Sequence, residues 1–193
     1  MKDRVAIVVG HSSVSRGARN YLDESEYSFN YRIGSEVNKI LSCRHKKEAC
    51  LFYRKEFESI GFIGEEIAEY DPDLSIELHF NAFEDPVLGT EVLINSSHKR
   101  YQSGMLAKYF MEEMAKEFEF KQRGIIKVSR GKRGHINLES IHKCNNNIAS
   151  ILVEPTFGNF ETKESSIFFA SESSYINVLV KTILLWYQFN ENE

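Results

Sequence analysis

Cysteine is scarce in this sequence. Cys43, Cys50 and Cys144 make an odd count at no metal-type spacing. That excludes a disulfide framework, and the three read as reduced thiols. No apolar run is long enough to cross a bilayer, so integral membrane association is not expected. Neither charge sign dominates: 24 Lys and Arg against 28 Asp and Glu leave a net charge of −4, which argues against nucleic acid as a partner. The first apolar run, Val5 to Val9, is too short for a signal peptide and flows into Gly10-His11 without a small-residue cleavage site. Synthesis in a bacterial cytoplasm, with no export by the standard secretory route, is the expectation. Repeats, low-complexity tracts and linker-like stretches are also missing. The 193 residues are most simply one domain, 1–193, large enough for a good core.

What is present is an alternation of strand and helix patterns. Val5 to Val9 is a continuous β-branched run, as in a parallel strand buried on both faces, and it ends in Gly10-His11-Ser12. From Glu24 the pattern is helical, with Phe29, Ile33, Val37, Ile40 and Leu41 on one face. Residues 49–53 read as a strand and 55–70 as a helix with Phe57, Ile60, Ile63 and Ile67 inward. Leu74, Ile76 and Leu78 alternate with Ser75, Glu77 and His79, which is strand period, and Asn81 follows. A strand over 89–94, a helix over 101–118, an irregular basic loop over 119–147 and a buried strand over 148–154 come next. A short segment, 161–170, and a long helix, 173–189, close the chain. The expected fold is a single α/β domain, a twisted, mixed, mostly parallel sheet flanked by helices.

Three buried strands thus end in His11, His79 and Glu154, and a helix between the first two begins with Glu24 and Glu26. Parallel neighbours bring such ends to one edge of a sheet. Each residue alone reads as an ordinary structural one, and both glutamates suit the first turn of a helix. Together, two imidazoles and a carboxylate around one point suit zinc, with a fourth position left for water and a further carboxylate as general base. Helix phase separates the glutamates: Glu26 lies three residues before Phe29 and seven before Ile33, on the buried face, while Glu24 lies on the other side. Glu77, two positions before His79 on the same strand face, is a candidate to orient that imidazole through its non-ligating nitrogen.

The chain resembles the zinc-dependent N-acetylmuramoyl-L-alanine amidases, particularly phage endolysin catalytic domains. The matching pieces are Val8-Val9-Gly10-His11-Ser12, Glu26-Tyr27-Ser28-Phe29-Asn30, Ile76 to Ala82, Gly89-Thr90-Glu91-Val92, Arg123 to Lys127, Lys132-Arg133-Gly134 and Leu152 to Asn159. They run in family order over nearly the whole chain, and Ile76 to Ala82 is the most specific. The resemblance implies zinc held by His11, Glu26 and His79, with Glu154 as the catalytic carboxylate. It implies hydrolysis of the amide between N-acetylmuramic acid and L-alanine, with peptidoglycan as partner and Asn81 and Arg133 touching substrate. It departs after Tyr53-Arg54, where the second arginine of many members is missing. With neither a signal peptide nor a wall-binding domain, a compact phage or prophage lysin that acts on the wall after release is expected. Two alternatives stay open: a zinc peptidase acting on stem peptides, and a non-catalytic peptidoglycan-binding module.

Overall fold

The computed structural model describes residues 2–56, 58–96, 101–145 and 147–191, without the side chains of 140, 143 and 144. Phe57 and the Cys144 thiol therefore lie outside the described residues. In chain order the elements are β1 (Arg4–Ser12), α1 (Glu26–Arg44), β2 (Glu48–Arg54), α2 (Ile60–Tyr70), β3 (Leu74–Leu78), β4 (Thr90–Asn95), α3 (Tyr101–Phe118), β5 (Gln122–Val128), α4 (His135–Cys144), β6 (Ala149–Glu154), α5 (Lys163–Ala170) and α6 (Glu172–Glu191). The strands form one sheet in the order β2-β1-β3-β6-β4-β5. Every neighbouring pair is parallel except β4 with β6. The fold is a single α/β domain with a mixed, mostly parallel sheet and helices on both faces.

Alternation along the strands divides the core. Val5, Ile7, Leu74, Ile76, Leu78, Ile151 and Val153 face α1, α3, α5 and α6, whose Phe29, Ile33, Phe110, Phe168, Tyr175 and Ile183 complete the larger cluster. Ala6 and Val8 face the other way, onto Ile63 and Ile67 of α2 and Ile141 of α4. Because β1 and β6 are covered on both sides, they read as nearly unbroken apolar runs, whereas β3 alternates and buries Ser75 and Glu77 on its second face.

Element starts differ from the sequence expectation where a cap decides them. Ser25, not Glu24, precedes the first turn of α1, and its hydroxyl accepts from the Ser28 N–H at 3.2 Å. Glu24 lies outside that helix and pairs with Arg32 instead. In the same way α2 starts at Ile60 rather than Lys55, capped by Ser59.

The larger correction concerns 119–147, which is not an irregular loop. It holds β5 and α4. As an edge strand exposed along most of its length, β5 buries too few side chains to show an apolar alternation. Helix α4 opens at Gly134 with no side-chain cap and sets its buried Leu138, Ile141 and His142 among polar residues, so both its start signal and its periodicity are weak.

Candidate metal centre and cleft

Strands β1, β3 and β6 are parallel neighbours, and their carboxyl ends open into a cleft of about 490 Å³. His11 reaches it through an irregularity in β1. The β1–β2 register shifts between Val9 and Ser12, and His11 has φ +67°, a left-handed backbone unusual for a non-glycine residue. Such strain is held in place by surrounding structure, and here it turns the imidazole toward α1. His79 stands one residue past β3, its N–H donating to the Val153 carbonyl at 3.1 Å.

Glu26 opens α1 and is 3% exposed. Its Oε2 lies 3.1 Å from His11 Nε2 and its Oε1 2.8 Å from His79 Nδ1. Backbone N–H groups of Ala18 and Phe80 add donors to the two oxygens, each at 3.2 Å. Burial alone would raise the pKa of this carboxyl, but the hydrogen bonds from His11 and His79 outweigh it and hold the group down at about 2. Burial disfavours the His79 cation too, yet Glu26 and Glu77 on either side raise its pKa well above the ordinary value. Donor atoms of His11, Glu26 and His79 all fall within 4.8 Å of one another.

Two glycines make room for this group. A Cβ on Gly17, whose φ is +73°, would come within 2.5 Å of the His11 ring and 2.6 Å of Glu26 Oε2. A Cβ on Gly10 would stand 2.5 Å from His79 Nε2. Two imidazoles, one buried carboxylate and a backbone that yields to them form a donor set suited to zinc.

Glu77 Oε1 lies 3.0 Å from His79 Nε2, the nitrogen turned away from Glu26, and also accepts from the Asn137 side chain of α4. Glu24 is not part of the group; its carboxylate is on Arg32.

Glu154 closes β6, 5% exposed, and lines the same cleft. Its Oε2 is buried with no hydrogen-bond partner among the described residues, and Arg133 Nη1 stands 3.6 Å from Oε1. Burial pushes its pKa up to about 7, against the pull of His79 and Arg133. Asn81 is buried in the cleft wall, where its amide donates to Glu91 at 2.8 Å and accepts from Arg133 at 2.5 Å.

Sequence reasoning gave no role to Glu91, Arg123 or Asn137. Glu91 is paired in register with Glu154 because β4 runs antiparallel to β6, so its amino end meets the cleft edge. It takes Arg123 on one oxygen at 2.8 Å and Arg133 on the other. The two guanidinium groups outweigh burial and lower its pKa. Arg123 also lies 5.1 Å over the Phe157 ring. A charge chain, Arg123–Glu91–Arg133, thus reaches the cleft at Arg133. The direction of β4, which no local signal carries, is what assembles it.

The model of the N-acetylmuramoyl-L-alanine amidase family (Amidase_3) matches residues 5–173. No curated protein matches the sequence. Solved structures of similar fold include an N-acetylmuramoyl-L-alanine amidase from Clostridium difficile 630, with 18% identity, a TM-score of 0.75 and 96% of each chain covered. Another is such an amidase of Nostoc punctiforme, with 22% identity, a TM-score of 0.76 and coverage of 96% of this chain and 98% of that one. A third is the catalytic domain of CwlV from Bacillus (Paenibacillus) polymyxa var. colistinus, with 19% identity, a TM-score of 0.75 and coverage of 97% and 99%.

Proposed function

The chain belongs to the N-acetylmuramoyl-L-alanine amidase family, and from that premise we propose that it is a zinc-dependent peptidoglycan amidase with His11, Glu26 and His79 as metal ligands and Glu154 as general base. The bond cleaved is the amide between the lactyl carbonyl of N-acetylmuramic acid and the nitrogen of L-alanine. Zinc, when bound, supplies Lewis-acid charge to the carbonyl and the attacking water.

The observation that carries this reading is the Glu154 carboxylate. It is buried, has an oxygen without a hydrogen-bond partner among the described residues, faces an open cleft and stands beside the only group of donors suited to a metal among those residues. A carboxyl whose pKa sits near 7 takes a proton from water and returns it to a departing amine without a large penalty in either direction. Glu77, braced by Asn137, fixes the His79 tautomer so that Nδ1 is free to ligate. Arg133 is half-exposed and held by Glu91 and Asn81, so it presents a cation at the cleft mouth for an acidic stem peptide. Asn81 contributes through this hold on Arg133 as well as by lining the cleft.

We place the enzyme as a phage or prophage lysin that meets the wall after release, in line with the resemblance of its motifs to phage endolysin catalytic domains. Among the described residues no single helix is long and apolar enough to cross a membrane.

The test is digestion of purified peptidoglycan with and without chelator, with the products separated. Glycan strands stripped of peptide, lost on chelation and regained with zinc, are the expected result. Release of peptide fragments from strands that keep L-alanine would make it a peptidase. Binding without any product would make it a wall-binding module. Lysis of intact cells treated from outside checks the lysin assignment.

A further inference from the structure

Two arginines line the cleft, Arg133 and Arg54. Arg133 is held by Glu91 and Asn81, whereas Arg54 makes no side-chain hydrogen bond or ion pair among the described residues. Arg54 is half-buried, the last residue of β2. The irregularity that turns His11 into the cleft also sets its place. Gly10 and His11 have no register partner on β2, so Arg54, next after Tyr53, falls beside Ser12. Neither cleft carboxylate is spare for it: Glu26 is tied to two imidazoles, and Glu154 faces Arg133. Ser15, Ala18 and Ile60, which line the cleft as well, carry no charge. A half-buried guanidinium without a counter-charge suits an anion that the substrate brings.

Sheet order says which part of the substrate that is. The strands run β2, β1, β3, β6, so Arg54 and Glu154 stand on opposite sides of the His11–Glu26–His79 group, on strands about 14 Å apart. Glu154 returns a proton to the departing nitrogen, so the L-alanine side of the amide lies toward β6 and Arg133. The muramoyl side then lies toward β2. An unmodified glycan strand carries no charge there, and negative charge appears only as water adds. Glu154 takes a proton from the water, the C–O bond forms, and the π pair of the lactyl carbonyl moves onto its oxygen. When the C–N bond breaks, that oxygen re-forms its double bond and the Glu154 proton passes to the nitrogen. The new acid's own proton follows, which leaves a lactyl carboxylate and an ammonium.

We propose that Arg54 stabilises the lactyl oxyanion in the transition state and then holds the lactyl carboxylate of the muramoyl product. This deepens the amidase reading and rests on it. The planar fork of a guanidinium matches a carboxylate, and its attraction grows with the charge, so it favours the transition state over the neutral substrate.

The test compares the full-length wild type with Arg54→Ala and Arg54→Lys; Arg54→Gln replaces the alanine variant if that loses its circular dichroism. Turnover is measured on N-acetylmuramoyl-L-alanyl peptides whose second stem residue has its carboxyl free or amidated. The alanine variant should lose about 10²–10³-fold in kcat on both, the cost of removing one oxyanion donor, with KM and zinc content kept. Lysine should recover part of the loss. The second readout is a titration with N-acetylmuramic acid, which carries the product's lactyl carboxylate, followed by ligand-observed NMR. The alanine variant should bind it about 10–100-fold more weakly than the wild type, the worth of a hydrogen bond to a charged group. N-acetylglucosamine, which has no lactyl group, should show no such difference. A rise in KM at unchanged kcat would make Arg54 an anchor for the bound substrate. A loss confined to the free-carboxyl peptide would make it a stem contact, and lost zinc would make it structural. Each of these overturns the proposal, as do unchanged turnover, no binding of N-acetylmuramic acid by the wild type, or equal binding by wild type and alanine variant. A wild type that cleaves neither peptide would sink the amidase reading, while the titration would still judge Arg54.

Discussion

Glu154 is a buried carboxylate with one oxygen unpaired among the described residues, which is costly unless the group is used. Glu154→Gln keeps the shape and removes the proton acceptor. We expect turnover to fall roughly 10²–10⁴-fold, with metal content and circular dichroism retained; near-normal turnover would make the residue structural. The base works as the carboxylate, so activity should decline as pH falls through its pKa. That value is raised to about 7 by burial, and a divalent cation nearby favours the charged form, so the acid limb of kcat/KM in the zinc enzyme should have its midpoint at or below about 7. At Glu26 the helix phase was readable in advance, because Phe29 and Ile33 define the inward face that it shares. Zinc should therefore be lost from Glu26→Ala and kept by Glu24→Ala. Zinc kept by the first and lost from the second would reverse the choice. Glu77→Gln and Asn137→Ala should each weaken zinc affinity about 10–100-fold, as loss of a ligand's hydrogen-bond partner does, measured by competition with a chromophoric chelator. Glu77 was legible from strand alternation. Asn137 was not, since nothing local ties a residue of α4 to β3.

Elements with a strong buried stripe, such as α1 and α3, and the strands of the sheet centre were legible almost to their ends. Their side chains are apolar where they face the core, and the sequence records that directly. The miss over 119–147 has the opposite cause: β5 and α4 carry few apolar residues because they lie at the margin and over the cleft. The loop between β1 and α1, rich in Ser, Arg and Gly, carries no apolar period that would tie it to the site. Its Gly17 is a close-approach position against His11 and Glu26. Gly17→Ala combines left-handed strain with a collision on two of the proposed ligands, so it should lower zinc stoichiometry and cost at least about 1 kcal/mol of stability. Normal zinc content in that variant would show that the loop gives way.

At the scale of the whole molecule, the sheet order was beyond the sequence, because which strand lies beside which depends on packing that no local pattern encodes. The reversal at β4 matters most: it brings the amino ends of β4 and β5 to the edge where β1, β3 and β6 finish. Ligands of the proposed metal come from β1, α1 and the end of β3, so binding ties separate parts of the domain together. Zinc at about 100 times its dissociation constant should add about 2.7 kcal/mol. For a chain of this size, chelation should then lower Tm by roughly 5–10 °C. An unchanged melting curve in chelator would show that the metal is not held this way.

Asp73 joins Lys2 to Tyr187 of α6. It accepts from the Lys2 backbone N–H at 2.9 Å and from the Tyr187 hydroxyl at 3.1 Å. It stands just before β3, and six residues of extended chain, about 20 Å, separate it from His79. Lys2 and Tyr187 are thereby held at the edge of the sheet remote from the cleft. For protein engineering this makes the Lys2–Asp73–Tyr187 edge a handle: a bead, a fluorophore or a targeting module coupled there should leave the cleft turned outward, toward an insoluble polymer too large to enter any pore.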